Sequence, residues 1–210
     1  SMGEPLLNMD AVSVAFARLY RDLKQAQLLV STSAPRTKNG WEDMMQVAND
    51  IPTVGLQFSV HTSSDEERDK LIPMKGKLSL LEISEKGRQF FELTGRKPFF
   101  NYCAHEGNSS DADVDRLVSL FDPAIWEATI SVICESDESM ADAVKSQEDL
   151  VQEFSGKLLQ RGYGTRVFNP AGQDDIGGGC GQLWQVQAWA KEHPEVMKQS
   201  AGNKCLERAA

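Results

Sequence analysis

Several things are scarce in this sequence, and each scarcity narrows what the chain can be. Cysteine occurs at 103, 134, 180 and 205 with no Cys-x-x-Cys pair, so the spacing implies neither a disulfide framework nor a zinc ribbon. Cys103 and His105 are close enough in sequence to meet one metal ion, but two ligands are too few for a site. No apolar run approaches the length of a membrane span, and the N-terminus lacks the basic and apolar regions of a secretory leader. The expectation is a protein without a membrane partner, in the cytoplasm or the interior of an organelle. Basic residues are outnumbered, 22 against 31 acidic, for a formal net charge of −9. That balance argues against this segment alone gripping a polyanion, although RNA remains open through a local basic cluster or a further domain. Arg68, Lys70, Lys75, Lys77, Lys86 and Arg88 form one such cluster, read here as a solvated helix face. Internal repeats and low-complexity linkers are absent as well.

What is present is an ordinary globular composition, 40% hydrophobic and 25% charged over 210 residues, enough for a sizeable core. Apolar positions at helical spacing predict a helix over 9–25, and further helices are expected over 41–48, from Ser64 onward, and over 78–94, 111–121, 140–161 and 182–191. Between them, 27–32, 53–60, 98–103, 127–134 and 164–169 read as strands. Strand–helix alternation of this kind gives parallel strands joined by crossover helices, an α/β fold in an open sheet or a barrel. In such folds the chemistry collects at the C-terminal ends of the strands. Ser31-Thr32-Ser33 ends one strand, Ser59-Val60-His61 the next, and Ser136 lies beyond the fourth. Taken singly these are ordinary cap or turn residues; on one rim they make a polar pocket.

The most distinctive stretch is Gln173-Asp174-Asp175-Ile176-Gly177-Gly178-Gly179-Cys180-Gly181-Gln182-Leu183. Glycines before Cys180 and an amphipathic run after it put a thiol on a loop at the start of a helix. Helix N–H groups favour the thiolate, whereas Asp174 and Asp175 disfavour it. A glycine turn beside a small buried cysteine fits the same residues. A phosphate loop does not, since no Lys-Ser or Lys-Thr follows.

With the N-terminal segment added, the chain resembles the RlmN/Cfr family of radical S-adenosylmethionine methyltransferases, which modify adenine in ribosomal RNA and, for RlmN, also in transfer RNA. The matching landmarks run in the family's order. They are Gly-Glu-Pro-Leu-Leu-Asn at 3–8, Val-Ser-Thr-Ser at 30–33, Ser-Val-His at 59–61, Asp-Glu-Glu-Arg-Asp at 65–69, Ile-Pro at 72–73, and Asp-Asp-Ile with Cys-Gly-Gln-Leu within 174–183. The resemblance implies a partial (βα)6 barrel of the TIM type over 1–185, with the helix end and a polar tail over 186–210. It implies that Gly3 and Glu4 bind the ammonium end of S-adenosylmethionine, that Ser31, Ser59, Val60, His61 and Ser136 are further cofactor contacts, and that Cys180 is the catalytic methyl carrier. In the implied mechanism one cofactor molecule methylates Cys180 and a second is cleaved to a radical that activates the S-methyl group, whose carbon then adds to the adenine ring.

Some family features are missing from these residues. The Cys-x-x-x-Cys-x-x-Cys motif that holds the [4Fe-4S] cluster does not occur, so the expectation is the C-terminal two thirds of such an enzyme, inactive alone in reductive cleavage, with the cluster ligands upstream. Flavodoxin or ferredoxin would be the electron donor. Gly177-Gly178-Gly179 replaces bulkier residues, Ser136 stands about where the family has a cofactor-binding Asn, and Asn101 replaces an acid. Carbon 2 of adenine is the expected target, with carbon 8 as the alternative. The alternatives are a catalytically silent fragment that binds S-adenosylmethionine or a partner protein, and a radical enzyme with a substrate other than RNA.

Overall fold

The computed structural model describes residues 3–132 and 140–168. Ser136, Cys180 and the helix expected over 182–191 lie outside them. The chain divides into two compact units: Met2–Ile133 with Lys145–Phe168 forms one, and Ser1, Cys134–Val144 and Asn169–Ala210 the other, most of which falls outside the described residues.

In chain order a 3-10 turn, Pro5–Leu7, leads into α1 (Met9–Asp22), β1 (Leu28–Thr32), α2 (Gly40–Asp50), β2 (Val54–Ser59), α3 (Asp65–Leu71), α4 (Leu80–Thr94) and β3 (Phe99–Cys103). A second 3-10 turn, Glu106–Asn108, precedes α5 (Asp111–Leu120), β4 (Glu127–Ser131), α6 (Met140–Gln160) and β5 (Gly164–Phe168). The five strands form one sheet in the order β1-β2-β3-β4-β5, and every pairing is parallel. Among the described residues the sheet is open, with β1 and β5 as its edges.

Period-2 patterning gives the sheet two unlike faces. On one, Val30, Leu56, Phe58, Phe100, Tyr102, Ala128 and Ile130 are buried. They join a single core with Met44, Ile83, Phe90, Leu117 and Phe154 of the helices. Phe58, Phe100, Phe121 and Tyr163 cluster around Trp126 or each other, with ring centroids 4.9–6.5 Å apart. The opposite face carries Ser31, Gln57, Ser59, Asn101, Thr129, Ser131 and Arg166, which register-pairing puts side by side. Helices and caps agree: Ser64 caps α3, and Ser79 with Glu82 and Ser110 with Asp113 form capping boxes on α4 and α5.

One expectation is corrected. Arg68 is not on a solvated helix face: it is fully buried, because its guanidinium finds main-chain carbonyls on three separate segments. The side chain of Lys77 is only 9% exposed and pairs with Asp69.

Gly40 opens α2 at a close approach. A Cβ there would lie 2.1 Å from the Leu6 carbonyl oxygen and 2.9 Å from Thr37 Oγ1, so a side chain would push away the Pro5–Leu7 turn. Gly156 of α6 has nothing within 4 Å of the same position. Gly40→Ala should therefore lose about 1–3 kcal/mol, while Gly156→Ala should gain roughly 0.5–1 kcal/mol from helix propensity alone. Urea unfolding of the two variants tests this opposition of sign.

Candidate functional site

Glu4 accepts four hydrogen bonds at the strand ends. Gly3, with φ of 95°, turns the chain into it, and Glu4 caps the Pro5–Leu7 turn. Its Oε1 accepts hydrogen bonds from Leu6 N–H (3.2 Å) and Thr32 Oγ1 (2.6 Å). Its Oε2 accepts from Ser33 N–H (2.8 Å) and Ser33 Oγ (2.7 Å). The carboxylate is thus fixed at the C-terminal end of β1 by neutral donors alone. Among the described residues it has no cationic partner. A half-buried carboxylate held this way is stabilised further by a cation, and an ammonium group brings both charge and donors.

The polar face continues from there. Ser31 Oγ accepts from Gln57 Nε2 at 3.3 Å. Gln57 Oε1 accepts from Arg166 Nη2 at 3.2 Å, and Arg166 Nε donates to Thr129 Oγ1 at 2.8 Å. The guanidinium lies over the Phe99 ring, 4.4 Å from its centroid. Ser131 Oγ donates to Asn101 Oδ1 at 2.7 Å. The polar side chains of β1 to β5 are therefore tied to one another across the sheet.

At the end of β2, Val60 N–H and His61 N–H both donate to the Asn101 carbonyl at 3.0 Å. His61 adopts φ of 65° and Ala34, after β1, φ of 63°. These are the two non-glycine residues in the left-handed region among the described residues, and each follows a strand end where cofactor contacts were expected. Such strain collects at sites where the surroundings over-determine the backbone. Asn108, buried, donates from Nδ2 to the carbonyls of His61 and Cys103 at 3.0 Å each. His105 Nδ1 accepts from Gly107 N–H at 3.1 Å.

The His61 imidazole is held well below its ordinary value of 6.5, at about 4, first by burial and then by the positive charge of Arg68. Its Nδ1 is shielded from solvent and has no hydrogen-bond partner among the described residues. The ring is therefore neutral at pH 7, with that nitrogen buried and unpaired among the described residues. The depressed pKa fixes the sign of a pH effect. Above about pH 6.5 neither state carries the proton. Between there and pH 4 the unfolded chain takes it up and the folded chain does not, so stability falls as the solution is acidified. The loss should be about 1–3 kcal/mol, and His61→Gln should remove it. Urea midpoints of both proteins between pH 7 and pH 4 measure the difference, and parallel curves would contradict the assignment.

The structure thus brings Glu4, Ser31, Ser59 and His61 to one rim, with Gly3 at its edge, whereas Val60, expected there too, has its side chain fully buried in the core. Sequence reasoning passed over Asn108 and Arg166, and it placed Arg68 on a solvated face although the residue is buried. Arg68 sits on the seven-residue helix α3, too short and too charged for an apolar stripe to mark its inward face. Asn108 lies in a turn, and Arg166 is one basic residue in a short strand. Among the described residues no group of three or more His, Cys, Asp or Glu could hold a metal ion. An iron–sulfur cluster therefore finds no ligand set there. S-adenosylmethionine fits better: the Glu4 carboxylate, without a cationic partner among the described residues, suits its ammonium group, and the polar rim suits its amino-acid end.

No protein-family profile matches the chain. It is 28% identical over 189 residues to the "Probable dual-specificity RNA methyltransferase RlmN" of Clostridium novyi (strain NT), covering 86% of this chain and 52% of that protein. It is 30% identical over 186 residues to the protein of the same description from Desulfitobacterium hafniense (strain Y51), covering 87% and 50%. The chain spans about half the length of the curated relatives it matches. A radical SAM methyltransferase of known structure from Sphaerobacter thermophilus superposes with a TM-score of 0.68 over 86% of this chain and 52% of that one, at 23% identity. The fold is therefore the α/β fold of that enzyme. The resemblance read from the motifs holds across most of the chain.

Proposed function

We propose that this chain is the cofactor-binding and methyl-carrying part of a radical S-adenosylmethionine RNA methyltransferase, acting on carbon 2 of adenine in ribosomal RNA and in transfer RNA. The observation that carries the reading is Glu4. Its carboxylate is pinned at the end of β1 by neutral donors, with no cationic partner among the described residues, at the position where the resemblance expects the ammonium group of the cofactor.

Bound S-adenosylmethionine supplies an activated methyl group on a sulfonium sulfur. The residues of this chain do the rest of the binding step. Glu4 takes the ammonium group, and Ser33, whose N–H and hydroxyl both hold Glu4 Oε2, fixes that carboxylate's direction. Ser31 and Ser59 would offer hydroxyls from β1 and β2, Val60 would contribute through its backbone, its side chain being in the core, and His61, neutral at pH 7, would line the end of β2 without adding a positive charge. Ser136 is assigned to the same group of contacts. Cys180 would be the thiolate that accepts this methyl group, its sulfur taking the carbon as the cofactor's own carbon–sulfur bond gives up its electron pair to the departing thioether.

The test is methylation of ribosomal and transfer RNA by the protein made from its complete reading frame, supplied with iron, sulfide and a reducing system. Nucleoside mass spectrometry should show 2-methyladenosine. Binding of S-adenosylmethionine with no RNA product would favour a silent cofactor-binding protein, and methylation of a non-RNA substrate would favour the divergent-enzyme alternative.

A further inference from the structure

Both left-handed non-glycine residues lie just downstream of a carbonyl held by one side chain. Arg68 Nη2 donates to the Ser33 carbonyl at 2.8 Å, directly before Ala34. Its Nε and Nη2 donate to the Ser59 carbonyl at 3.2 and 3.0 Å, just before Val60 and His61. Its Nη1 donates to the Leu78 carbonyl at 2.8 Å, and Leu78 N–H in turn donates to the Ala34 carbonyl at 2.8 Å. The residue is 0% exposed, and it has no carboxylate within ion-pair distance among the described residues. Burial of a cation without an acid is costly. What it gains here is an array of carbonyls from three segments. Ser33 is gripped from both sides, its N–H and hydroxyl by Glu4 and its carbonyl by Arg68.

We infer that Arg68 is a positioning residue that sets the spacing between the Glu4–Ser33 cradle and the Ser59–Val60–His61 segment, so that recognition of the amino-acid end of S-adenosylmethionine depends on it. The ligand's identity rests on the proposed function; the geometry does not. A planar fork with five donors reaches all three carbonyls at once, whereas a lysine ammonium on a flexible stem cannot hold them in a fixed relation.

The experiment compares the wild-type chain with Arg68→Lys and Arg68→Met. Each is titrated calorimetrically with S-adenosylmethionine and with methylthioadenosine, which lacks the amino-acid portion. Arg68→Lys should weaken S-adenosylmethionine by about tenfold or more and methylthioadenosine by less than about twofold, so that discrimination between the two collapses. Equal weakening of both, as partial unfolding would give, overturns the inference, and so does unchanged discrimination. Amide NMR spectra decide the positioning without any ligand. In Arg68→Lys the signals of Ala34 and His61 should shift together; shifts confined to α3 and its neighbours would overturn it. Wild type that binds neither ligand would defeat the functional reading while leaving the spectra to decide the geometry.

Discussion

Glu4→Ala is expected to weaken S-adenosylmethionine binding by about a hundredfold. A partly shielded carboxylate–ammonium contact contributes roughly 2–3 kcal/mol as a charge-assisted hydrogen bond, and each 1.4 kcal/mol or so is tenfold in affinity. The substitution also removes the acceptor for four protein donors, leaving Ser33 and the buried Thr32 without the partner that orients them. Glu4→Gln keeps an acceptor oxygen but loses the charge, and its affinity should fall between alanine and wild type. Calorimetric titration of the three proteins gives the ranking. An alanine variant that binds within about threefold of wild type would remove Glu4 from the cofactor site.

Cys180→Ala should abolish RNA methylation by the protein made from its complete reading frame. An alanine offers no nucleophile, so the methyl group has no acceptor and the carrier step cannot occur. The same variant should bind S-adenosylmethionine within about twofold of wild type, because the contacts proposed for the amino-acid end come from Glu4, Ser31 and the end of β2 and not from the carrier. The split between intact binding and absent product separates loss of chemistry from loss of fold. Residual methylation above a few per cent would show that another group accepts the methyl.

Much of the architecture was legible in the sequence because strand and helix signals agree locally. The run 53–60 was read as a strand, and β2 occupies Val54–Ser59. Its alternate residues Val54, Leu56 and Phe58 are all fully buried, while Gln57 and Ser59 turn to the polar face. The start of α3 was readable from Ser64 and three following acids, and the structure shows Ser64 accepting from Glu67 N–H. The rim was readable as well, since parallel strands of known direction fix where their ends lie. What local sequence could not carry was pairing over distance. Glu4 reaches Thr32 and Ser33 across 28 and 29 positions, and Arg166 reaches Gln57 across 109. Charge misled at Arg68: a helix crowded with acids and bases reads as solvated, yet this arginine is buried because backbone carbonyls, invisible to composition, satisfy it.

The central claim is that Cys180 receives a methyl group from S-adenosylmethionine. It is tested most directly by peptide mapping of the protein made from its complete reading frame, expressed with iron and sulfur supply. One added methyl on the Cys180 peptide, absent from Cys180→Ala, is the predicted result. An unmodified Cys180 in protein that demonstrably binds the cofactor and holds its cluster would contradict it.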